Sequence, residues 1–145
     1  MSLVKTYDSI DELLSESTLV VRVQASADQK EVSADSAGTD KLASTLTTVK
    51  VLETYVGSPD SSLTIRQSGS KGMVFDGLAE LLVPGDEYIL FLKPFSFDPK
   101  GPDTGEFIIT GEVGAYQLQE GRFKLTAKSA PNLPTSVDAD NPLGD

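Results

Sequence analysis

The chain has 145 residues, one domain's worth, enough for one real hydrophobic core but not two. Its hydrophobic content of 39% is globular rather than disordered, and no apolar run approaches the roughly 20 residues of a membrane helix. A net charge of −10, with 12 scattered basic residues against 22 acidic ones, argues against a nucleic-acid backbone or an anionic lipid surface as partner.

Cysteine, histidine and tryptophan are all absent. That removes disulfides, thiol nucleophiles, thiolate or imidazole zinc sites, and any base that titrates unperturbed near neutral pH. No cofactor motif is present. Met1-Ser2-Leu3 reads like an expression leader, so an export signal is expected to have been removed upstream.

In chain order, the first predicted element is a short helix. Ser9 and Glu12 have capping-box spacing, and Ile10, Leu13 and Leu14 share a face. Thr18 to Ala25 is rich in β-branched residues and begins as a continuous apolar run, the mark of a central strand. Ser26 to Lys41 is polar, acidic and small, and reads as an exposed loop. A long strand follows from Ser44 to Val56, then a turn at Gly57-Ser58-Pro59-Asp60 and a strand over Leu63 to Gln67. A loop with Gly69, Gly72 and Gly77 leads to the Pro84-Gly85 turn, and Glu87 to Lys93 carries the strongest β signal in the chain. After a Pro, Gly and Asp loop from Phe95 to Gly105, Glu106 to Thr110 reads as another strand.

The last hairpin has a testable register. With Glu120-Gly121 as the turn, Leu118 faces Phe123 and Tyr116 faces Leu125, while Gln117 and Lys124 share the other side. From Ser129 to Asp145 prolines dominate and apolar content is low, so residues 129–145 read as a flexible tail or linker behind a domain of residues 1–128. One helix and six or seven strands suggest a mostly β fold. A small closed or partly open Greek-key barrel of OB type is expected, with a β-sandwich as the alternative.

Several segments resemble a known group of domains. They are Asp11-Glu12-Leu13-Leu14 leading to Leu19-Val20-Val21-Arg22-Val23; Thr47 to Gly57; a strand ending Gln67-Ser68-Gly69; and Pro84-Gly85-Asp86-Glu87-Tyr88-Ile89-Leu90-Phe91-Leu92. From Tyr7 to Lys128 the order resembles small extracytoplasmic domains of Gram-positive bacteria, of unassigned activity, that sit behind a lipoprotein or secretion signal. More distantly it is similar to the OB-fold of tissue inhibitors of metalloproteinases and netrin modules. The resemblance implies fold and export. It does not carry the inhibitors' zinc-chelating N-terminal cysteine, since this chain has none.

Ser68-Gly69-Ser70-Lys71 matches the Ser-x-x-Lys dyad of penicillin-interacting enzymes, but it lies in a Gly-rich connection rather than on a helix and lacks the partner motifs. No P-loop spacing is present. Asp98, Asp103 and Glu106 are weak calcium candidates without EF-hand spacing. None of the acidic residues stands out as a glycosidase pair: Asp86 and Glu87 point to opposite faces of one strand. Tyr88, Phe91, Phe107 and Phe123 read as core, whereas Phe95 and Phe97 flank a strand end. The surface reading places the site on two loops, with Ser68, Gly69, Lys71 and Gly72 on one and Gly111 and Gly114 on the other. The expected role is an exported, non-enzymatic module that binds a protein or peptide. The alternatives are a structural spacer in a cell-surface protein and a small hydrolase.

Overall fold

Two segments, Leu19-Val20-Val21 and Tyr88-Ile89-Leu90-Phe91-Leu92, are apolar at consecutive positions. A strand sends neighbouring side chains to opposite faces, so such a run must be buried on both. The computed structural model describes residues 10–33, 43–68, 81–95, 105–110, 113–127 and 133–138, and it puts both segments at the centre. The elements are α1 (Ile10–Ser15), β1 (Leu19–Ser33), β2 (Ala43–Val56), β3 (Ser62–Ser68), β4 (Glu87–Pro94), β5 (Glu106–Ile109), β6 (Ala115–Gln119), β7 (Arg122–Leu125) and β8 (Ser136–Val137).

Among the described residues the strands form a single mixed sheet of eight in the order β1-β2-β3-β5-β4-β6-β7-β8, and β1 also pairs with β4. That extra pairing, Leu19↔Leu92 through Gln24↔Glu87, bends β1, β2, β3, β5 and β4 into a partial ring. All pairings are antiparallel except β3 with β5, which run parallel through Ile65↔Phe107. The fold is thus mostly β, in one sheet rather than two facing ones.

Alternation along β1 and β4 creates two apolar clusters. Leu19, Val21, Val23 and Ala25 of β1 and Tyr88, Leu90 and Leu92 of β4 enter the ring, where they meet Val49, Leu63, Ile65 and Ile109. Val20, Ile89 and Phe91 face outward and are covered by Ile10 and Leu13 of α1, Tyr116, Phe123, Leu133 and Val137. Arg22 and Glu87 lie at the edge of this outer layer as an ion pair at 2.7 Å, with the guanidinium 5.3 Å from the Phe123 ring centre.

β5 and β6 occupy the same edge of β4. Moving two residues along β4, from Leu92 to Leu90, moves six along the partner, from Ile109 to Ala115, so four residues are inserted there. The described part of this bulge is buried: Thr110 and Val113 are inaccessible, and the Gly114 carbonyl accepts from the Phe91 N–H at 2.9 Å. Past the bulge the strand leaves the ring and pairs with β7.

The β6–β7 hairpin has the register expected from its sequence, with Leu118↔Phe123, Tyr116↔Leu125 and Gln117↔Lys124. Glu120 and Gly121 have φ of 53° and 83°, as a two-residue type I′ turn requires. Pro84-Gly85 is likewise a turn, with Gly85 at φ 92° and the Asp86 N–H donating to the Val83 carbonyl at 3.0 Å.

Two expectations need correction. The stretch from Ser26, read as loop, continues β1 as far as Ser33 and pairs with β2 from Gln29↔Thr47 to Ser33↔Ala43; residues 34–42 lie outside the described residues. What holds it is hydrogen bonding rather than apolar alternation. Gln29 Nε2 donates to Thr47 Oγ1 at 3.0 Å and to the Leu82 carbonyl at 2.6 Å, and Gln67 Oε1 accepts from the Leu82 N–H at 3.0 Å. Two glutamines thus hold both backbone polar groups of Leu82 and seat it in the end of the ring. The second concerns the expected tail. Residues 133–138 return to the sheet, with Phe123↔Val137 and Lys124↔Ser136 paired and Leu133 and Val137 buried. Two apolar side chains suffice because β7 offers an open edge.

Candidate binding groove

The face of β1, β2, β3 and β5 turned away from the ring interior is polar and carries a shallow hollow. Side chains at alternate positions share a face, and the register aligns them in rows across the strands. Thr48 is opposite Thr64, and Thr64 is opposite Glu106. On β1, Asp28 reaches the same row, where its Oδ2 accepts from the Thr48 hydroxyl at 3.1 Å. The row therefore reads Asp28, Thr48, Thr64, Glu106. With strands about 4.8 Å apart it spans roughly 14 Å. The next row begins Lys30, Leu46, Arg66, since Lys30 pairs with Leu46 and Leu46 with Arg66.

Together Asp28, Lys30, Leu46, Thr48, Thr64, Gly105 and Glu106 line a groove of about 360 Å³, within the roughly 300–1,000 Å³ range of ligand sites. A smaller hollow of about 160 Å³ is lined by Gln29, Lys30, Glu31 and Thr45. At the Asp28 end, a bulge sets the side-chain direction. The Ser26 hydroxyl donates to the Thr48 carbonyl at 2.7 Å and accepts from the Asp28 N–H at 3.1 Å, which turns the Asp28 carboxylate toward Thr48. At the other end Arg66, only 7% exposed, donates from Nε to Glu106 Oε1 at 2.7 Å. Its guanidinium lies 4.7 Å from the Phe95 ring centre, and this fixes Glu106 as a rigid acceptor.

Chemically the groove offers carboxylate acceptors, hydroxyls that donate or accept, and the Lys30 ammonium. That set matches backbone amides and polar side chains of an extended chain. It does not match paired-carboxylate hydrolysis. Asp28 and Glu106 are separated by three strand gaps, beyond the roughly 5–9.5 Å that such pairs need, and Glu106 is engaged by Arg66.

The residues singled out from the sequence fall elsewhere. Ser68 is the last residue of β3, on a strand rather than a helical first turn, while Gly69, Lys71, Gly72 and Gly111 lie outside the described residues. Gly114 is buried rather than presented on a loop. A Cβ there would lie 2.9 Å from the Phe91 Cβ and 3.2 Å from a Leu13 methyl, so its glycine serves close packing. Of the calcium candidates, Asp98 and Asp103 lie outside the described residues, and Glu106 pairs with Arg66. Among the described residues no helix is long and apolar enough to cross a membrane.

Sequence reasoning missed Asp28, Lys30, Thr48 and Thr64. They are ordinary polar residues on separate strands, and only the register brings them together. The one available signal is the alternation along β2, which puts Thr48, Lys50 and Leu52 on the side opposite Val49. No protein-family model matches this chain, and no curated protein matches it either.

Proposed function

We propose that the protein is an exported, non-enzymatic binding module on an OB-type Greek-key ring, and that it holds a protein or peptide segment in the groove across β1, β2, β3 and β5. The single observation that carries this reading is the Asp28-Thr48-Thr64-Glu106 row, held in place from both ends along a hollow in the polar face. The strand order with β3 and β5 parallel supports the OB-type assignment. Export rests on the resemblance of the quoted segments, and the mature N-terminus of the endogenous protein, read by mass spectrometry, tests it.

Binding is tested with a displayed library of random linear peptides panned on the protein. Thr64→Arg places a long side chain in the middle of the groove from a position that is not core. Selected peptides are expected to lose at least about tenfold in affinity on that variant, or roughly 1.4 kcal/mol. Peptides that bind the parent and Thr64→Arg alike would place recognition elsewhere.

A further inference from the structure

The outer cluster has a part that stands apart from the rest of the fold. Among the described residues, the segment 133–138 touches the domain through two apolar side chains, Leu133 and Val137, and a two-residue strand. Beyond the ladder they accept two hydrogen bonds: the Leu125 N–H donates to the Thr135 carbonyl at 2.9 Å, and the Tyr116 hydroxyl donates to the Pro134 carbonyl at 3.0 Å. An ion pair of Arg122 with Asp138 at 3.4 Å is largely exposed and adds little. Against these few contacts stands the conformational entropy of ordering six residues. β1, by contrast, is paired on both sides over Val20 to Gln24.

We infer that residues 133–138 are a strap that opens as a unit while the ring stays folded, and that the β7 edge it uncovers accepts an extended peptide in its place. The strap itself shows what such a peptide needs. Leu133 and Val137 lie four positions apart, across a stretch that bends at Leu133 and Thr135 and becomes strand at Ser136–Val137, and both enter the cluster of Tyr116, Phe123 and Ala127. The partner is thus an extended segment with apolar residues four apart that adds a strand to β7. This surface is distinct from the polar groove and does not rest on binding there.

Two neighbouring amides report the opening. The Leu125 N–H points to the strap. The Thr126 N–H points the other way, to the Ala115 carbonyl at 3.1 Å. Native-state hydrogen exchange followed by NMR is expected to show Leu125 exchanging at least about 100-fold faster than Thr126, with the smaller denaturant dependence of a local opening. Equal rates with equal denaturant dependence would overturn the inference. Docking is tested with Val137→Asp and a synthetic peptide spanning residues 131–140. The variant is expected to lose protection at Leu125 and keep it at Thr126, and saturating peptide is expected to restore it. A peptide that leaves Leu125 unprotected in a variant that is folded by its Thr126 protection would overturn the docking half.

Discussion

The ring interior and the layer outside it are both apolar clusters, yet they are assembled from different material. Nearly every inner residue comes from the five ring strands, Leu82 and Ala115 being the exceptions, and most are Val, Leu or Ile. The outer layer gathers α1, the bulge before β6, the β6–β7 hairpin and the strap over Phe91, and it relies on Phe91, Tyr116 and Phe123. Short β-branched and aliphatic side chains fill a narrow interior at strand spacing. Large rings bridge elements that meet at irregular distances, as Phe91 and Tyr116 do at 6.3 Å and a 58° tilt. β1 and β4 are the shared wall, so damage on either face should be felt by the other.

Neighbouring positions on β4 break the comparison most severely. Leu90→Ala empties the ring and Phe91→Ala empties the outer layer. Each is expected to cost about 3–5 kcal/mol by urea denaturation, with a single transition in both because the wall is common. Two separated transitions in Phe91→Ala would mean that the layers fold independently. Next is the Arg66–Glu106 pair on the polar face of the ring. Glu106→Gln leaves the guanidinium, 7% exposed, without its carboxylate, at a cost of about 3 kcal/mol. Converting both partners together, Arg66→Met with Glu106→Leu, should recover much of that loss, and thermal melts of the three proteins give the comparison.

Gly114→Ala probes the seam between the layers. Its new methyl would press on Phe91 and Leu13, and a loss of about 1–3 kcal/mol is expected from overpacking. Stability unchanged within error would show that the bulge can shift at no cost. The smallest effect is at Tyr116. Tyr116→Phe removes its bond to the Pro134 carbonyl, worth about 1 kcal/mol at neutral pH. Burial pushes the Tyr116 hydroxyl well above the ordinary tyrosine value of 10.0. The unfolded chain therefore ionises first, and the native state loses stability as pH rises above about 10. In Tyr116→Phe this alkaline decline should be shallower, which a pH series of melting temperatures would reveal.

Much of the frame was legible because local rules determine it. The Glu120-Gly121 hairpin, the Pro84-Gly85 turn and the strongly β segment that becomes β4 follow from turn chemistry and β propensity, and each has its expected place. Beyond Ser26, β1 was hidden because Asp28 and Lys30 face solvent and Gln29 is satisfied by Leu82 and Thr47; no apolar period marks such a strand. β8 was hidden because its two anchors are diluted among prolines, and the open edge they use belongs to β7. The groove was the least legible part. Asp28 and Glu106 are 78 positions apart in the chain, and their row exists only because β3 and β5 run side by side in one register.

That parallel pairing is accordingly the point to measure. Cross-strand NOEs between β3 and β5, together with those between β1 and β4, report directly on the ring and on the polar row it holds. Backbone contacts between Ile65 and Phe107 in a parallel pattern, alongside antiparallel contacts between Val21 and Leu90, are the expected result. If β1 and β4 pair but β3 and β5 share no contacts, the sheet is open there, Glu106 is removed from Thr48 and Thr64, and the groove does not exist as a recognition surface.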